Sequence, residues 1–222
     1  INPLLECEYI SNQGELSLKN IKTNIEKIIE KYPSESISIY YRDLLNGPWY
    51  GINEDQQFAP QSLLKLPVAI SYLKYAEKDF SILEKKIKVE EISGSNLETK
   101  DNLTVGEEYS VLTLIERAII KSDNIAFQLL VKNIPEEQIK KTHEDLGIAY
   151  PSSNTPDDFI SVKAYSSLFR VLYNASYLSR NLSEQLLAML SQAEFKNGLV
   201  AGAPEGTLIA HKFGIQNNSS EI

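Results

Sequence analysis

The feature that most constrains the fold is a long helical stretch between two ends with β-like patterns. Residues 60–194 carry several apolar patterns of helical period, separated by short polar, glycine or proline breaks. Residues 207–213 are β-like again. This arrangement predicts two lobes: an α/β lobe formed by residues 1–59 and 195–222, and an all-α lobe formed by residues 60–194.

The opening segment predicts one helix and one hairpin. Ser17 is a candidate N-cap for a helix over residues 18–31, whose isoleucines recur with helical spacing. Residues 36–42 alternate and are rich in isoleucine and tyrosine, which is typical of a strand. A turn at residues 45–48 would lead into the returning strand, residues 49–52.

The helices predicted in the long stretch follow from apolar period, serine caps and breaker residues. They run over residues 60–77, 111–121, 125–132, 135–146, 161–173 and 183–190, with Ser110, Ser161 and Ser183 as N-caps and Pro135 as the first residue of the fourth.

Composition excludes several classes of function. The 222 residues are 42% hydrophobic and 23% charged, which suits a globular protein with a sizeable core. The net charge of −8 argues against nucleic-acid binding, and no apolar run is long enough to span a membrane. With one cysteine, Cys7, and two histidines, His143 and His211, we expect neither a zinc site nor another cofactor.

Ser62 and Lys65 form the strongest local pair. They follow Pro60 and are three residues apart, so a helix would place both side chains on one face. A serine hydroxyl needs a nearby base to act as a nucleophile, and a lysine can be that base when burial or a second positive charge lowers its pKa. Ser71 and Lys74 have the same spacing but face the opposite side of the helix.

Two further motifs follow in order. Ser122-Asp123-Asn124 interrupts two apolar helices, and Lys212-Phe213-Gly214 is predicted to end a strand. Ser-x-Asn and Lys-x-Gly each occur elsewhere in the chain, so their order and structural context carry the signal. The three motifs together resemble the penicillin-recognising serine enzymes, and most closely their class A β-lactamase-like branch. The resemblance implies that family's two-lobe fold, with an antiparallel sheet flanked by helices.

The resemblance also implies roles. Ser62 would attack a carbonyl and form an acyl-enzyme with a β-lactam or a D-Ala-D-Ala-type cell-wall peptide, and Lys65 would accept its proton. Ser122, helped by Lys212, would pass a proton to the leaving nitrogen. The substrate-contacting residues implied are Asn124 for the amide side chain, the backbone N–H groups of Ser62 and Ile215 for the oxyanion, and Phe213 and Gly214 of the third motif. Lys65 and Lys212, converging near one serine, would lower each other's pKa and attract the substrate carboxylate.

Three departures bear on activity. Phe213 stands where the family has threonine or serine, and a phenyl ring cannot hydrogen-bond a carboxylate. Residues 147–160 contain no glutamate to activate the deacylating water, and Asp157 and Asp158 are their only acids. Slow deacylation is therefore expected. The family continues beyond the third motif with further strands and a helix, so we expect a missing C-terminal segment, or a second chain, to complete the sheet.

Two hypotheses remain open. In the first, the protein is a serine acyl enzyme; in the second, it is a catalytically impaired relative that binds cell-wall peptides. Phe213 and the missing loop acid favour the second hypothesis, while the presence of all five polar motif residues favours the first. A weaker third alternative is an esterase of the same fold. Because the chain begins with Ile1 rather than methionine, we expect that an upstream segment was removed, which could have held an export signal or a membrane anchor. The resemblance implies a location outside the cytoplasmic membrane.

Overall fold

The computed structural model describes residues 12–33, 36–45, 47–90 and 103–215, with side chains from residue 18 onward. The helices and strands in these ranges are α1 (Asn12–Ile29), β1 (Ile39–Arg42), β2 (Trp49–Ile52), β3 (Gln57–Phe58), α2 (Lys65–Ala76), β4 (Lys86–Lys88), β5 (Glu108–Ser110), α3 (Val111–Ile120), α4 (Asn124–Asn133), α5 (Glu136–Asp145), β6 (Ile160–Ser161), α6 (Val162–Tyr173), α7 (Arg180–Ser191) and α8 (Leu199–Gly202).

The chain divides into two compact units. The first unit comprises Ile1–Ala59 and Glu144–Ser176, and the second comprises Pro60–His143 and Tyr177–Ile222. The predicted lobes group the chain differently, because residues 195–222 fall with the helices that follow Pro60. The lobe assignment itself stays a prediction.

The first unit contains the predicted helix and hairpin. Strands β1 and β2 pair antiparallel, with Tyr41 opposite Tyr50, while α1 packs on β2 and α6 packs on β1. A second short antiparallel pair joins β3 to β6. The N-cap prediction for Ser17 is wrong: α1 begins at Asn12 and runs through the serine.

The second unit holds the larger helical core. Helix α3 packs against α2, α4 and α7, and a further antiparallel pair joins β4 to β5. Ten of the twelve residues of α2 are buried, so this helix is enclosed around nearly its whole circumference. Tyr72 of α2 is fully buried and donates its hydroxyl hydrogen to the Leu130 carbonyl of α4 at 2.8 Å, which fixes the two helices side by side.

Serine caps set several of the helix starts. The predicted N-caps Ser110 and Ser161 are confirmed, since each side chain accepts a hydrogen bond from a backbone N–H in the first turn of its helix. The predicted N-cap Ser183 is wrong. Helix α7 begins one turn earlier, where Ser179 accepts from the Leu182 N–H, and Ser183 is buried inside the helix.

The predicted strand over residues 207–213 is also wrong. The segment carries no strand assignment, and its backbone hydrogen bonds go elsewhere: the Thr207 N–H donates to the Pro204 carbonyl and the His211 N–H donates to the Leu190 carbonyl at the end of α7. A β-like pattern forms a strand only where a neighbouring strand completes the ladder. The segment is therefore held by a helix end rather than by a sheet.

None of the helices in the described ranges is both long enough and apolar enough to cross a membrane.

Removal of the α3 cap is expected to destabilise the protein modestly. The Ser110 hydroxyl oxygen accepts from the Thr113 N–H at 3.1 Å, so Ser110→Ala leaves that donor without its partner. We expect a loss of about 1 kcal/mol in the free energy of unfolding, measured by urea titration. Ser153→Ala, at an exposed loop position, is the control. An equal effect in both variants would show that the cap does not stabilise α3.

Candidate active site

A tight turn presents the first motif. Residues Gln61–Leu64 form one turn of 3-10 helix, and α2 follows directly at Lys65. Gln61 has a left-handed backbone with φ of 47°, which is uncommon for a residue other than glycine. The turn places the Lys65 Nζ 2.8 Å from the Ser62 Oγ, as the three-residue spacing predicts.

The Lys65 amine is surrounded by oxygen atoms. Besides the Ser62 Oγ, it lies 2.6 Å from the Asn124 Oδ1, 2.7 Å from the Ser122 carbonyl oxygen and 3.1 Å from the Ser122 Oγ. The Lys65 side chain is only 2% exposed. An ammonium has three hydrogens for these four oxygens, and a neutral amine has two hydrogens and a lone pair. Neutral Lys65 can therefore accept a hydrogen bond from a serine hydroxyl.

The break between α3 and α4 carries the second motif. Asp123 caps α4 by accepting from the Ile125 and Ala126 N–H groups, and its other carboxylate oxygen pairs with Arg117 at 2.8 Å. Ser122 itself has a left-handed backbone with φ of 56°. These contacts fix the loop so that both the carbonyl and the hydroxyl oxygen of Ser122 meet the lysine from α2.

Lys212 contacts the same serine as Lys65 does. Its Nζ donates to the Ser122 Oγ at 2.8 Å and to the Phe213 carbonyl at 3.2 Å. The two lysines thus converge on the hydroxyl of Ser122, whereas Ser62 is contacted by Lys65. The structure gives a continuous chain of hydrogen bonds that runs from Ser62 through Lys65 and Ser122 to Lys212.

Burial shifts both amines toward neutrality. It lowers the pKa of Lys65 to about 8, and the nearby Asp123 carboxylate offsets part of that effect. Burial also lowers the pKa of Lys212 to about 7, and the positive charge of Lys65 adds to the lowering. The prediction that one lysine lowers the pKa of the other therefore holds for Lys212. The charge that acts on the pKa of Lys65 is instead the Asp123 carboxylate, which raises it.

The rest of the third motif lies beside the serine turn. A Cβ atom built on Gly214 would lie 2.8 Å from the Pro60 carbonyl oxygen, so a larger residue would force the two segments apart. The Ile215 side chain is exposed, and the role of its N–H group stays a prediction. Phe213 stacks on Phe195 with ring centroids 4.2 Å apart.

Sequence reasoning missed two aromatic neighbours of the site. Phe195 lies under Phe213, and Phe127 of α4 has its ring centroid 5.9 Å from the Lys65 Nζ. Phe127 could have been found, because it stands three residues after Asn124 on the same helix face. No periodicity links Phe195 to Phe213, so only the folded chain reveals that pair.

The second Ser-x-x-Lys pair has no comparable surroundings. Ser71 is fully buried and donates to the Pro67 carbonyl one turn earlier, as serines inside helices often do. Lys74 pairs with Glu77 and donates to the Tyr177 carbonyl. The hydrogen bonds of Ser71 and Lys74 therefore go to different groups.

Within the described ranges, no group of three or more histidine, cysteine, aspartate or glutamate side chains could hold a metal ion. The polar cluster around Ser62 instead consists of hydroxyl, amine and amide groups, which suits proton transfer rather than metal binding.

Comparison with solved structures shows the same fold. A mutant of PBP-A, solved as an acyl-enzyme complex with penicillin G, has a TM-score of 0.74 and 20% identity over 89% of this chain and 78% of its own. A β-lactamase from Chitinophaga pinensis has a TM-score of 0.76 and 18% identity, covering 88% and 78%. A variant of the class A β-lactamase of the last common ancestor of Gram-negative bacteria has a TM-score of 0.67 and 22% identity, covering 81% and 74%. The predicted β-lactamase-like fold is confirmed.

No curated protein sequence matches the chain. A family model, described as the β-lactamase enzyme family, matches residues 20–220 and thus nearly the whole chain, including all three motifs. The chain belongs to the β-lactamase enzyme family.

Proposed function

We propose that this protein is a serine acyl enzyme, in which Ser62 forms a covalent acyl-enzyme with β-lactams or D-Ala-D-Ala-type cell-wall peptides. The observation that carries the proposal is the 2.8 Å contact between the Ser62 Oγ and the Nζ of a buried lysine. Family membership supports the reaction class. By analogy with the family, the protein would act outside the cytoplasmic membrane.

The first step needs a neutral Lys65. The amine accepts the hydroxyl proton while the Ser62 Oγ bonds to the substrate carbonyl carbon, and the carbonyl oxygen takes up the negative charge. With a pKa of about 8, about a tenth of Lys65 is neutral at pH 7. Burial thus supplies a workable base without any histidine at the serine.

The second step breaks the carbon–nitrogen bond of the substrate. The leaving nitrogen takes the hydroxyl proton of Ser122, and Ser122 regains a proton from the protonated Lys212, which lies 2.8 Å away. In this scheme the Ser62 proton stays on Lys65 and the proton of Lys212 ends on the leaving amine. The charges and protons balance without any added reactant.

Backbone groups and Asn124 complete the proposed site. The N–H groups of Ser62 and Ile215 would stabilise the oxyanion, as in the family. The Asn124 Oδ1 is held by Lys65, which orients the amide so that its Nδ2 can donate to a substrate carbonyl.

Deacylation is proposed to be slow. The segment of residues 147–160 contains no glutamate, and its two acids, Asp157 and Asp158, are exposed. Without a base that activates water, the ester bond to Ser62 should persist, which is the behaviour of a penicillin-binding protein rather than of an efficient β-lactamase.

Intact mass spectrometry after incubation with penicillin G tests the proposal. We expect the wild-type protein to gain the mass of one penicillin, and the adduct to be absent in Ser62→Ala. Ser71→Ala, at the serine of the second Ser-x-x-Lys pair, is the matched control and should keep the adduct. If the wild-type protein formed no adduct with any β-lactam, the binding-module hypothesis would replace the enzyme. The decay rate of an adduct then measures deacylation.

The acylation rate is expected to follow a bell-shaped pH profile. Lys65 must be neutral, with a pKa of about 8, and Lys212 must be protonated, with a pKa of about 7. The product of the two fractions rises below pH 7, falls above pH 8 and is largest near pH ~7.5. Stopped-flow acylation from pH 5.5 to 9.5 measures the profile. A rate that keeps rising to pH 9 would show that protonated Lys212 is not the acid of the second step.

A further inference from the structure

The aromatic pair Phe213–Phe195 changes what the third motif can offer a substrate. The two rings stack at 4.2 Å with an interplanar angle of 21°, and the Lys212 Nζ lies 4.5 Å from the centroid of the Phe213 ring. Both rings are half-buried. The Phe213 side chain therefore offers a substrate only carbon and hydrogen atoms, and no hydrogen-bond donor, beside Lys212 and Ser122.

The Lys212 ammonium is already engaged by protein groups. It donates to the Ser122 Oγ and to the Phe213 carbonyl, and it also contacts the π-system of the Phe213 ring. An aromatic face attracts a cation and partly satisfies it. A substrate carboxylate could bind this ammonium only by displacing one of these contacts.

The other cationic side chains of the cluster are equally committed. Lys65 is enclosed by four oxygen atoms and is 2% exposed. Arg117 pairs with Asp123, which caps α4. A carboxylate that entered this site would lose water and would find neither a hydroxyl donor at position 213 nor an unengaged cation among these three residues, and such desolvation is unfavourable.

We propose that the Phe213–Phe195 pair makes the site selective for acyl donors that carry an uncharged, apolar group in the place where β-lactams and D-Ala peptides carry their carboxylate. This inference rests on the proposed acylation of Ser62 and names its substrate class: esters, amides or β-lactams whose carboxyl group is masked. The Phe213 ring would make apolar contacts with such a group, whereas a carboxylate would find no hydrogen-bond donor on this ring.

A matched pair of substrates tests the selectivity. Penicillin G and its methyl ester have the same acyl group and the same β-lactam ring, and they differ in the carboxylate alone. The second-order rate constant for acylation of Ser62 by each is measured by intact mass against time. In the wild-type protein we expect the methyl ester to react faster than the acid, by a factor of about three or more.

Variants at position 213 identify the cause. Phe213→Thr adds a hydroxyl donor and removes the ring beside the Lys212 ammonium, so the ratio is expected to invert and to favour the acid by about tenfold or more. Phe213→Leu stays apolar and adds no donor, so it should keep the preference for the ester. Phe80→Thr, at an exposed position, makes the same chemical change away from the cluster and should leave the ratio unchanged.

The outcomes separate this inference from the proposed function. If the wild-type protein reacts with neither compound at Ser62, the proposed function fails, and the selectivity fails with it. If it reacts with the ester less than about three times as fast as with the acid, the function stands and the selectivity is wrong. The wild-type ratio alone decides the matter even if Phe213→Thr does not fold. A wild-type preference for the ester that persists in a folded Phe213→Thr protein would overturn the role of the aromatic pair.

Discussion

Replacing Lys65 by methionine is expected to lower the rate constant for acylation of Ser62 by penicillin G by about 10²- to 10⁴-fold. The Lys65 Nζ lies 2.8 Å from the Ser62 Oγ and is the base that the proposed first step requires. Methionine fills the apolar space of the lysine stem but cannot accept a proton. The measurement is the time course of adduct formation, followed by intact mass at pH 7.5.

Lys74→Met is the matched control for this prediction. Lys74 stands three residues after Ser71, in the second Ser-x-x-Lys pair, and its amine lies among Glu77 and the Tyr177 carbonyl. We expect the acylation rate of this variant to stay within about twofold of the wild type. Thermal unfolding of both variants verifies that they are folded. A decrease of less than tenfold in a folded Lys65→Met protein would assign the base to another group.

The same substitution carries a second, independent readout. The positive charge of Lys65 helps to lower the pKa of Lys212. In Lys65→Met that charge is gone, so the pKa of Lys212, followed by NMR titration of its amine, is expected to rise. A purely structural effect of the substitution would lower the rate without raising this pKa.

Replacing Asp123 by alanine is expected to give the largest loss of stability, about 3–5 kcal/mol in the free energy of unfolding. Asp123 accepts two backbone N–H groups at the start of α4 and pairs with Arg117, and the two side chains are 10% and 18% exposed. Alanine removes the cap and leaves a mostly buried guanidinium without that carboxylate. Urea unfolding at pH 7.5 measures the loss.

Two further variants divide this effect into its parts. Asp123→Asn keeps an oxygen that can cap α4 but removes the charge, so its loss reports the ion pair alone. Asp79→Ala removes another aspartate cap, the exposed one at the start of the short 3-10 helix Phe80–Leu83, where Asp79 accepts from the Ser81 N–H, and should cost about 1 kcal/mol. If Asp123→Ala cost no more than Asp79→Ala, the pairing with Arg117 would not contribute to stability.

Those features that depend on residue spacing along one helix, or on the order of the three motifs, could be predicted from the sequence. The spacing of Ser62 and Lys65 predicts their contact, because one helical turn brings residues three apart onto one face. Ser110 predicts the start of α3, because a serine before an apolar helix satisfies first-turn N–H groups. The order of the three motifs then predicts the family, and the match over residues 20–220 confirms it.

The remaining features depend on contacts between distant parts of the chain. The β-like pattern of residues 207–213 predicted a strand, but the His211 N–H is bound by the end of α7. The stacking of Phe195 under Phe213 has no trace in the sequence, because the two residues belong to segments without a common period. Both lysines meet at Ser122 because that residue has a left-handed backbone. A serine in a sequence does not predict this conformation.

The backbone of Ser122, with its φ of 56°, has a consequence for how such a site is kept during evolution. A left-handed conformation costs a residue with a side chain roughly 1 kcal/mol, and glycine would avoid most of that penalty while losing somewhat more chain entropy. Selection for stability alone would therefore tolerate glycine at position 122, although glycine removes the hydroxyl shared by the two lysines. Under the proposed mechanism, selection for proton transfer favours serine there, so lineages that lose the need for catalysis should drift at this position.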